Sequence, residues 1–210
     1  MNCHPFQLLP PAVTGSPFSP ATRRLKRGFD LLVSALLLVL LSPLLLALAL
    51  LIWLDSPGPV IFCQPRVGQN GRLFNMFKLR TMHASADQTE PNGLKLPDDP
   101  RLTRPGRWLR RFSLDELPQL INVLRGEMSL VGPRPELPGL LQRYGPQGSL
   151  RLAVPQGMTG WWQINGRMAR PWPQQRLADD LFYIERHSLW LDVQILWLTV
   201  PAILHGEGAY

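Results

Sequence analysis

The chain has 210 residues, a net charge of +7 and 45% hydrophobic residues, which suits one catalytic domain plus appendages. With a sequence pI near 10.2, the expected partner is anionic: nucleic acid, lipid head groups or a phosphorylated substrate. The two cysteines, Cys3 and Cys63, form neither a disulfide framework nor a metal motif, so a reducing compartment fits best.

Residues 1–22, rich in Pro and Ser and without periodicity, read as a flexible tail. A basic cluster, Arg23, Arg24, Lys26 and Arg27, then precedes an uncharged, leucine-dominated run from Leu31 to Leu54. That run is longer than a signal-peptide core, and Asp55-Ser-Pro-Gly-Pro59 does not resemble a cleavage site. Residues 23–57 therefore read as a retained membrane segment with its basic flank. A straight helix over the run is roughly 36 Å long, enough to span a bilayer. Ser42-Pro43 sits near its middle, where proline removes a backbone donor and crowds the Val39 carbonyl. Two geometries follow: a kinked span, or a helix-break-helix that enters and leaves by one face. Arg66, Arg72, Lys78 and Arg80 follow the segment, so both flanks have a claim to the cytoplasmic side, which favours re-entry.

Val60–Gln64 and Leu73–Arg80 are β-prone runs joined through Asn70-Gly71, a hairpin signal. Residues 83–100 read as a surface loop. Helical pattern resumes near Gly106 and again from Leu114 to Leu124, residues 133–175 read as irregular with short helices, and another helix covers Leu177–Arg186. A last helix, Leu189–Leu204, carries Trp190 and Trp197 and one acid, Asp192, and is expected to end at Pro201. It suits either the membrane interface or ordinary core packing.

Chemistry concentrates between Arg101 and Gln119. Five arginines, at 101, 104, 107, 110 and 111, precede the adjacent carboxylates Asp115 and Glu116. Ser113-Leu-Asp-Glu116 matches a capping box, whereas Pro118 favours a register in which the helix begins at Pro118 itself. Either register sets Asp115 beside a helix N-terminus, which attracts phosphate. An ionised carboxylate there can attack phosphorus, its neighbour can hold Mg²⁺, and arginines can clamp phosphate oxygens. The plainer reading is a capped surface helix with a solvated basic face.

Several further motifs occur in order: Lys78-Leu-Arg-Thr-Met82, Asp99-Pro-Arg-Leu-Thr-Arg104, Ser113-Leu-Asp-Glu-Leu-Pro-Gln119, Asn122-Val123, Gly126-Glu-Met-Ser129, Val131-Gly-Pro-Arg-Pro135, Gly157 to Arg167, and Asp180-Leu-Phe-Tyr183. Together they resemble the bacterial sugar transferase family, the monotopic polyprenyl-phosphate phosphoglycosyl transferases in their small form, from about Lys26 to Thr199. The resemblance implies that Asp115 is the nucleophile on a UDP-sugar and that Glu116 coordinates Mg²⁺. Arg110, Arg134 and Arg167 would bind substrate, with either Lys78 or Arg80 beside them. Polyprenyl (undecaprenyl) phosphate would then take the sugar phosphate from Asp115, UMP having left, to begin a cell-surface polysaccharide or glycan. Met168 departs from the polar residue many relatives carry after Gly-Arg.

The resemblance also matches Ser42-Pro43 to the break of a re-entrant helix in the bacterial inner membrane, with a cytosolic catalytic domain. The expected fold is thus α+β and predominantly helical. It comprises a tail (1–22), a re-entrant helix-break-helix (23–57), a catalytic domain with one β-hairpin (58–187) and an amphipathic C-terminal helix (188–210). A homo-oligomer is compatible with the sequence. The competing reading is a non-catalytic membrane adaptor binding anionic lipid. Nucleic acid is not expected as a partner, because no recognisable motif for it is present, and His4, His83, His187 and His205 show no zinc spacing.

Overall fold

A long N-terminal helix carries the small mixed domain that follows it. The computed structural model describes residues 17–84, 99–144, 146–165 and 173–205; Cys3, His4, Arg167 and Met168 lie outside them. Helix α1 runs from Pro20 to Asp55, 36 residues, with Pro20 in its first turn and Ser19 as its cap, Oγ accepting from Thr22 N–H at 3.1 Å. Where a break at Pro43 was expected, the helix continues through it. Ser42 Oγ donates to the Val39 carbonyl at 2.8 Å, the acceptor that Pro43 leaves without its N–H partner. Leu32, Leu36, Val39, Leu40 and Leu46 are exposed, and α1 is long and apolar enough to cross a membrane.

Both halves of α1 are tied to the domain. Arg27 donates to the Val123 and Leu124 carbonyls at 2.6 and 2.8 Å, and Asp30 accepts from Leu130 N–H at 3.1 Å. At the other end, Arg80 donates to the carbonyls of Ile52, Ser56 and Pro57 at 3.2, 2.6 and 2.9 Å. Its guanidinium thus satisfies acceptors at the C-terminus of α1, where helices leave carbonyls without partners.

The hairpin forms as expected. Strands β1 (Ile61–Val67) and β2 (Leu73–Leu79) pair antiparallel, Ile61 opposite Leu79 and Val67 opposite Leu73. Asn70 and Gly71 take positive φ (56° and 75°) in the connecting 3₁₀ turn, the conformation these residues tolerate best. Helix α2 (Arg104–Arg111) begins at Thr103, whose Oγ1 accepts from Gly106 N–H at 3.0 Å.

One helix over Leu114–Leu124 does not form. Leu114–Glu116 is a single 3₁₀ turn and α3 spans Gln119–Arg125 with Pro118 at its cap. The capping-box register is also corrected: Ser113 lies at φ 51°, ψ 22° and its side chain caps nothing. Pro118 has no N–H for the Leu114 carbonyl, so a helix begun at Ser113 stops after one turn and restarts at the proline.

The stretch read as irregular contains a pairing that was not foreseen. Strand β3 (Ser129–Val131) lies parallel to β4 (Gly157–Thr159), joined by α4 (Pro138–Leu141) and 3₁₀ turns at Gln142–Tyr144 and Pro146–Ala153. A Cβ on Gly157 would collide with the Gly132 backbone, so glycine is what allows these segments to approach. Helices α5 (Trp161–Asn165), α6 (Pro173–Arg186, one turn longer at its start than expected) and α7 (Leu189–His205) complete the chain. Pro201 lies inside α7 rather than ending it. Helix α7 packs into the core through Asp192 and Ile195, both fully buried, while Trp190 and Trp197 are 69% and 78% exposed. Phe74, Leu120, Val123, Val131, Tyr183 and Ile195 form the main core, which buries the inner stripes of α3, α6 and α7 against the strands.

Candidate active site

The 3₁₀ turn at Leu114–Glu116 presents both carboxylates to the domain interior, Asp115 3% and Glu116 8% exposed. What holds that turn is an asparagine. Buried Asn122 on α3 accepts from Phe77 N–H at 3.0 Å and donates to the Asn75 carbonyl at 2.8 Å, so its amide continues the ladder of β2. This fixes α3, and the turn before it, against the strand that carries Lys78.

Glu116 meets two cations. Arg134 grips it with both arms, Nη2 to Oε1 at 2.7 Å and Nη1 to Oε2 at 3.3 Å, and Lys78 Nζ lies 3.9 Å from Oε1. The fork geometry is what guanidinium offers a carboxylate or a phosphate. Arg110 stands nearby on α2, Nε donating to Thr81 Oγ1 at 3.0 Å, just past β2. Of the predicted site residues, Asp115, Glu116, Lys78 and Arg134 thus come together, with Arg110 on the adjoining helix. Arg80 is a correction: its guanidinium holds the end of α1, so between the two alternatives Lys78 is the one beside the carboxylates. Arg167 lies outside the described residues. Ser42 and Pro43 lie within α1, remote in sequence from this cluster.

Beneath Arg134 lies an ionic layer that sequence reading missed. Arg151, fully buried, donates from Nη2 to the Arg134 carbonyl at 2.8 Å and pairs with Asp180 at 2.9 Å through Nε and 2.8 Å through Nη2. Arg66 donates to the Pro135 carbonyl at 3.3 Å, and Gly157 N–H to the Pro133 carbonyl at 2.9 Å. Residues 133–135 are therefore held by their backbone, leaving the Arg134 side chain to point at Glu116. Burial pushes Glu136 up, but Arg151, the Tyr144 hydroxyl and Arg176 together outweigh it and hold the carboxyl below its usual range. Burial wins at Asp180, raising it to about 6 against the pull of Arg151. Asp180 belongs to a quoted motif, so its presence had a signal; Arg151 sits in an unremarkable Leu-Arg-Leu stretch and had none.

Among the described residues no group of three His, Cys, Asp or Glu side chains is disposed to hold a metal. The site still fits Mg²⁺ in the way phosphoryl-transfer enzymes hold it, by one or two carboxylates with water and substrate phosphates completing the shell. Asp115 and Glu116 are the carboxylates of that kind here, adjacent in one turn and both buried.

The family described as "Bacterial sugar transferase" matches residues 21–206. The chain is 48% identical over 195 residues to an undecaprenyl-phosphate glucose phosphotransferase of Komagataeibacter xylinus, covering 88% of this chain and 37% of that protein. A UDP-glucose:undecaprenyl-phosphate glucose-1-phosphate transferase of Caulobacter vibrioides is 45% identical over 192 residues, 88% of this chain and 72% of that one. An undecaprenyl-phosphate galactose phosphotransferase of Salmonella typhimurium is 39% identical over 204 residues, 90% of this chain and 42% of that one. The chain thus spans less than half the length of the first and third of these relatives.

Proposed function

The chain belongs to the bacterial sugar transferase family, and we propose that it moves a sugar 1-phosphate from a UDP-sugar to a polyprenyl phosphate in two steps. The observation that carries this reading is the arrangement around the carboxylates: Asp115 in a buried turn, and beside it Glu116 held between Arg134 and Lys78. In the first step an Asp115 carboxylate oxygen attacks the β-phosphorus of the UDP-sugar. The bond to the bridging oxygen breaks, its electron pair leaves with UMP, and a sugar phosphate remains on Asp115. In the second step an oxygen of the polyprenyl phosphate attacks the same phosphorus and the acyl bond breaks. Asp115 regains its carboxylate, and the product is a polyprenyl diphosphate sugar.

Arg134, with Lys78 and Arg110, binds the diphosphate oxygens and stabilises the charge that gathers on them in the transition state. Lys78 and Arg134 also orient Glu116. Glu116 would hold Mg²⁺, which when bound neutralises diphosphate charge and orients the leaving group. Incubating the protein with a UDP-sugar and no lipid should release one UMP per chain and leave labelled phosphosugar on Asp115. If Asp115→Asn still turned over, the covalent step would be wrong, and unaltered membrane behaviour with no UMP release from any UDP-sugar would favour the adaptor reading. A panel of UDP-glucose, UDP-galactose and UDP-N-acetylated sugars with undecaprenyl phosphate names the sugar.

The same reading makes α1 re-entrant in the bacterial inner membrane with the domain on the cytosolic face, where nucleotide sugars are made. Its support is that one domain binds both halves of the helix, through Arg27 and Asp30 on one side and Arg80 on the other. A helix crossing the bilayer would put those ends on opposite faces. Cysteines introduced at positions 24 and 58 should both react only from the cytosolic side; periplasmic labelling of either would refute re-entry.

A further inference from the structure

Next to Glu116 and Arg134 a cleft opens whose remaining walls are not those of a phosphate or sugar site. It is about 50 Å³, with Ser113, Glu116 and Arg134 at one end. Met158, Ile164, Ala202 and Ile203 supply an aliphatic wall. Thr159 and Thr199, which also line it, bond to each other at 2.8 Å, leaving little hydroxyl capacity there. Gln163 reaches into the same cleft from α5, and neither its Nε2 nor its Oε1 has a hydrogen-bond partner among the described residues. An amide left so is costly unless a ligand meets it.

We propose that this cleft is the seat of the acceptor lipid: the polyprenyl phosphate head lies toward Arg134 and Gln163, and its first isoprene unit lies along Met158, Ile164, Ala202 and Ile203. This rests on the two-step reading above. Two observations choose the lipid over the nucleotide sugar. The cleft walls beyond the charged end are aliphatic apart from Gln163 and the Thr159–Thr199 pair, which favours hydrocarbon over a ring that carries a hydroxyl on most of its carbons. And one wall is α7, whose opposite face exposes Trp197, Leu198, Val200 and Leu204. The cleft is therefore one helix away from a surface suited to lipid, with aromatic side chains of the kind found at head-group depth. Gln163 Nε2 donates to a non-bridging oxygen of the lipid phosphate, and Arg134 serves both phosphates in turn.

The test separates the half-reactions in the full chain, held in lipid nanodiscs, using whichever UDP-sugar the wild type turns over. Ala202→Phe fills the cleft and Gln163→Leu removes its amide at nearly constant volume. Both variants should keep the lipid-independent UMP burst of the wild type, which also certifies the fold. Transfer to undecaprenyl phosphate should fall about tenfold in each, as expected when roughly one strong contact is lost. For Gln163→Leu this fall should appear as a raised KM for the lipid. A burst that falls in parallel with transfer would assign the cleft to the nucleotide sugar and overturn the proposal, as would transfer unchanged in both variants. A wild type without any burst would instead overturn the two-step reading, and the lipid seat with it.

Discussion

Two buried ion clusters use the same chemistry to different ends. At the joint between α1 and α7, Lys26 Nζ lies 2.7 Å from Asp192 Oδ2, Tyr183 donates to Oδ1 at 2.8 Å, and His187 Nε2 is 3.3 Å from Oδ2. Phe18 stacks on His187 at 3.9 Å, and with Lys26 it lines a cleft of about 250 Å³. At the candidate site Glu116 meets two cations, but its side chain is 10% exposed and Lys78 stands off at 3.9 Å, whereas the Asp192 side chain is fully buried. The tighter cluster anchors one helix to another. The looser one, with a standing cation, can exchange its carboxylate for an incoming phosphate. Proximity of unlike charges is common to both and a cleft borders each, so what differs is the tightness of the pairing and the burial of the carboxylate.

The largest expected effect is at the looser cluster. Asp115→Asn should lower transfer by about four orders of magnitude or more, as when a nucleophile is removed, with the melting temperature little changed. Arg134→Lys keeps the charge and loses the fork, so kcat/KM should drop on the order of 10²- to 10³-fold. Glu116→Gln should raise the Mg²⁺ concentration needed for half-maximal transfer while Asp115 can still be labelled; an unchanged Mg²⁺ requirement would remove Glu116 from the metal's shell.

At the tighter cluster the readout is stability instead. Lys26→Met leaves Asp192 buried without its cation and should cost about 3–5 kcal/mol, whereas Lys26→Met with Asp192→Leu should recover most of the loss. Recovery of stability with transfer intact would mark the cluster as scaffold; loss of transfer in the stable double variant would contradict the contrast.

The smallest effect is at a third, outer pair. Arg101 hydrogen bonds, working against burial, hold Asp99 down from 3.8 to about 2. A depressed carboxyl contributes stability that is present above pH 3.8 and is lost as pH falls toward 2. Asp99→Asn should therefore remove that contribution near neutrality and flatten the dependence of stability on pH between those values, as read by unfolding at a series of pH values.

Local patterns were legible because the forces behind them act within a few residues. The Asn70-Gly71 hairpin, the helix near Gly106 and the apolar length of α1 all formed as expected. The register conflict at Pro118 could be stated from sequence, and it was resolved in favour of the proline because a missing N–H outweighs an optional side-chain cap. The parallel pairing of β3 with β4 was illegible: each strand has three residues and they lie 26 apart, so no period could show in either. Nor could the sequence separate Arg80 from Lys78, since both lie at the end of one β-prone run and carry the same charge; only packing sends the guanidinium to the end of α1.

From sequence alone came the carboxylate pair, the basic residues near it and the long apolar segment, because residue type and spacing carry the relevant chemistry. Tertiary structure decided which cations reach Glu116, that Arg151 and Gly157 hold the Arg134 loop in place, and that a small aliphatic cleft adjoins the charges. The same physics explains why Asp115 and Glu116, weak evidence as a pair in a chain, become a site once α3 is fixed to β2. Electrostatic contacts act over a few ångströms, and residues 18 positions apart, such as Glu116 and Arg134, are brought that close only by the fold.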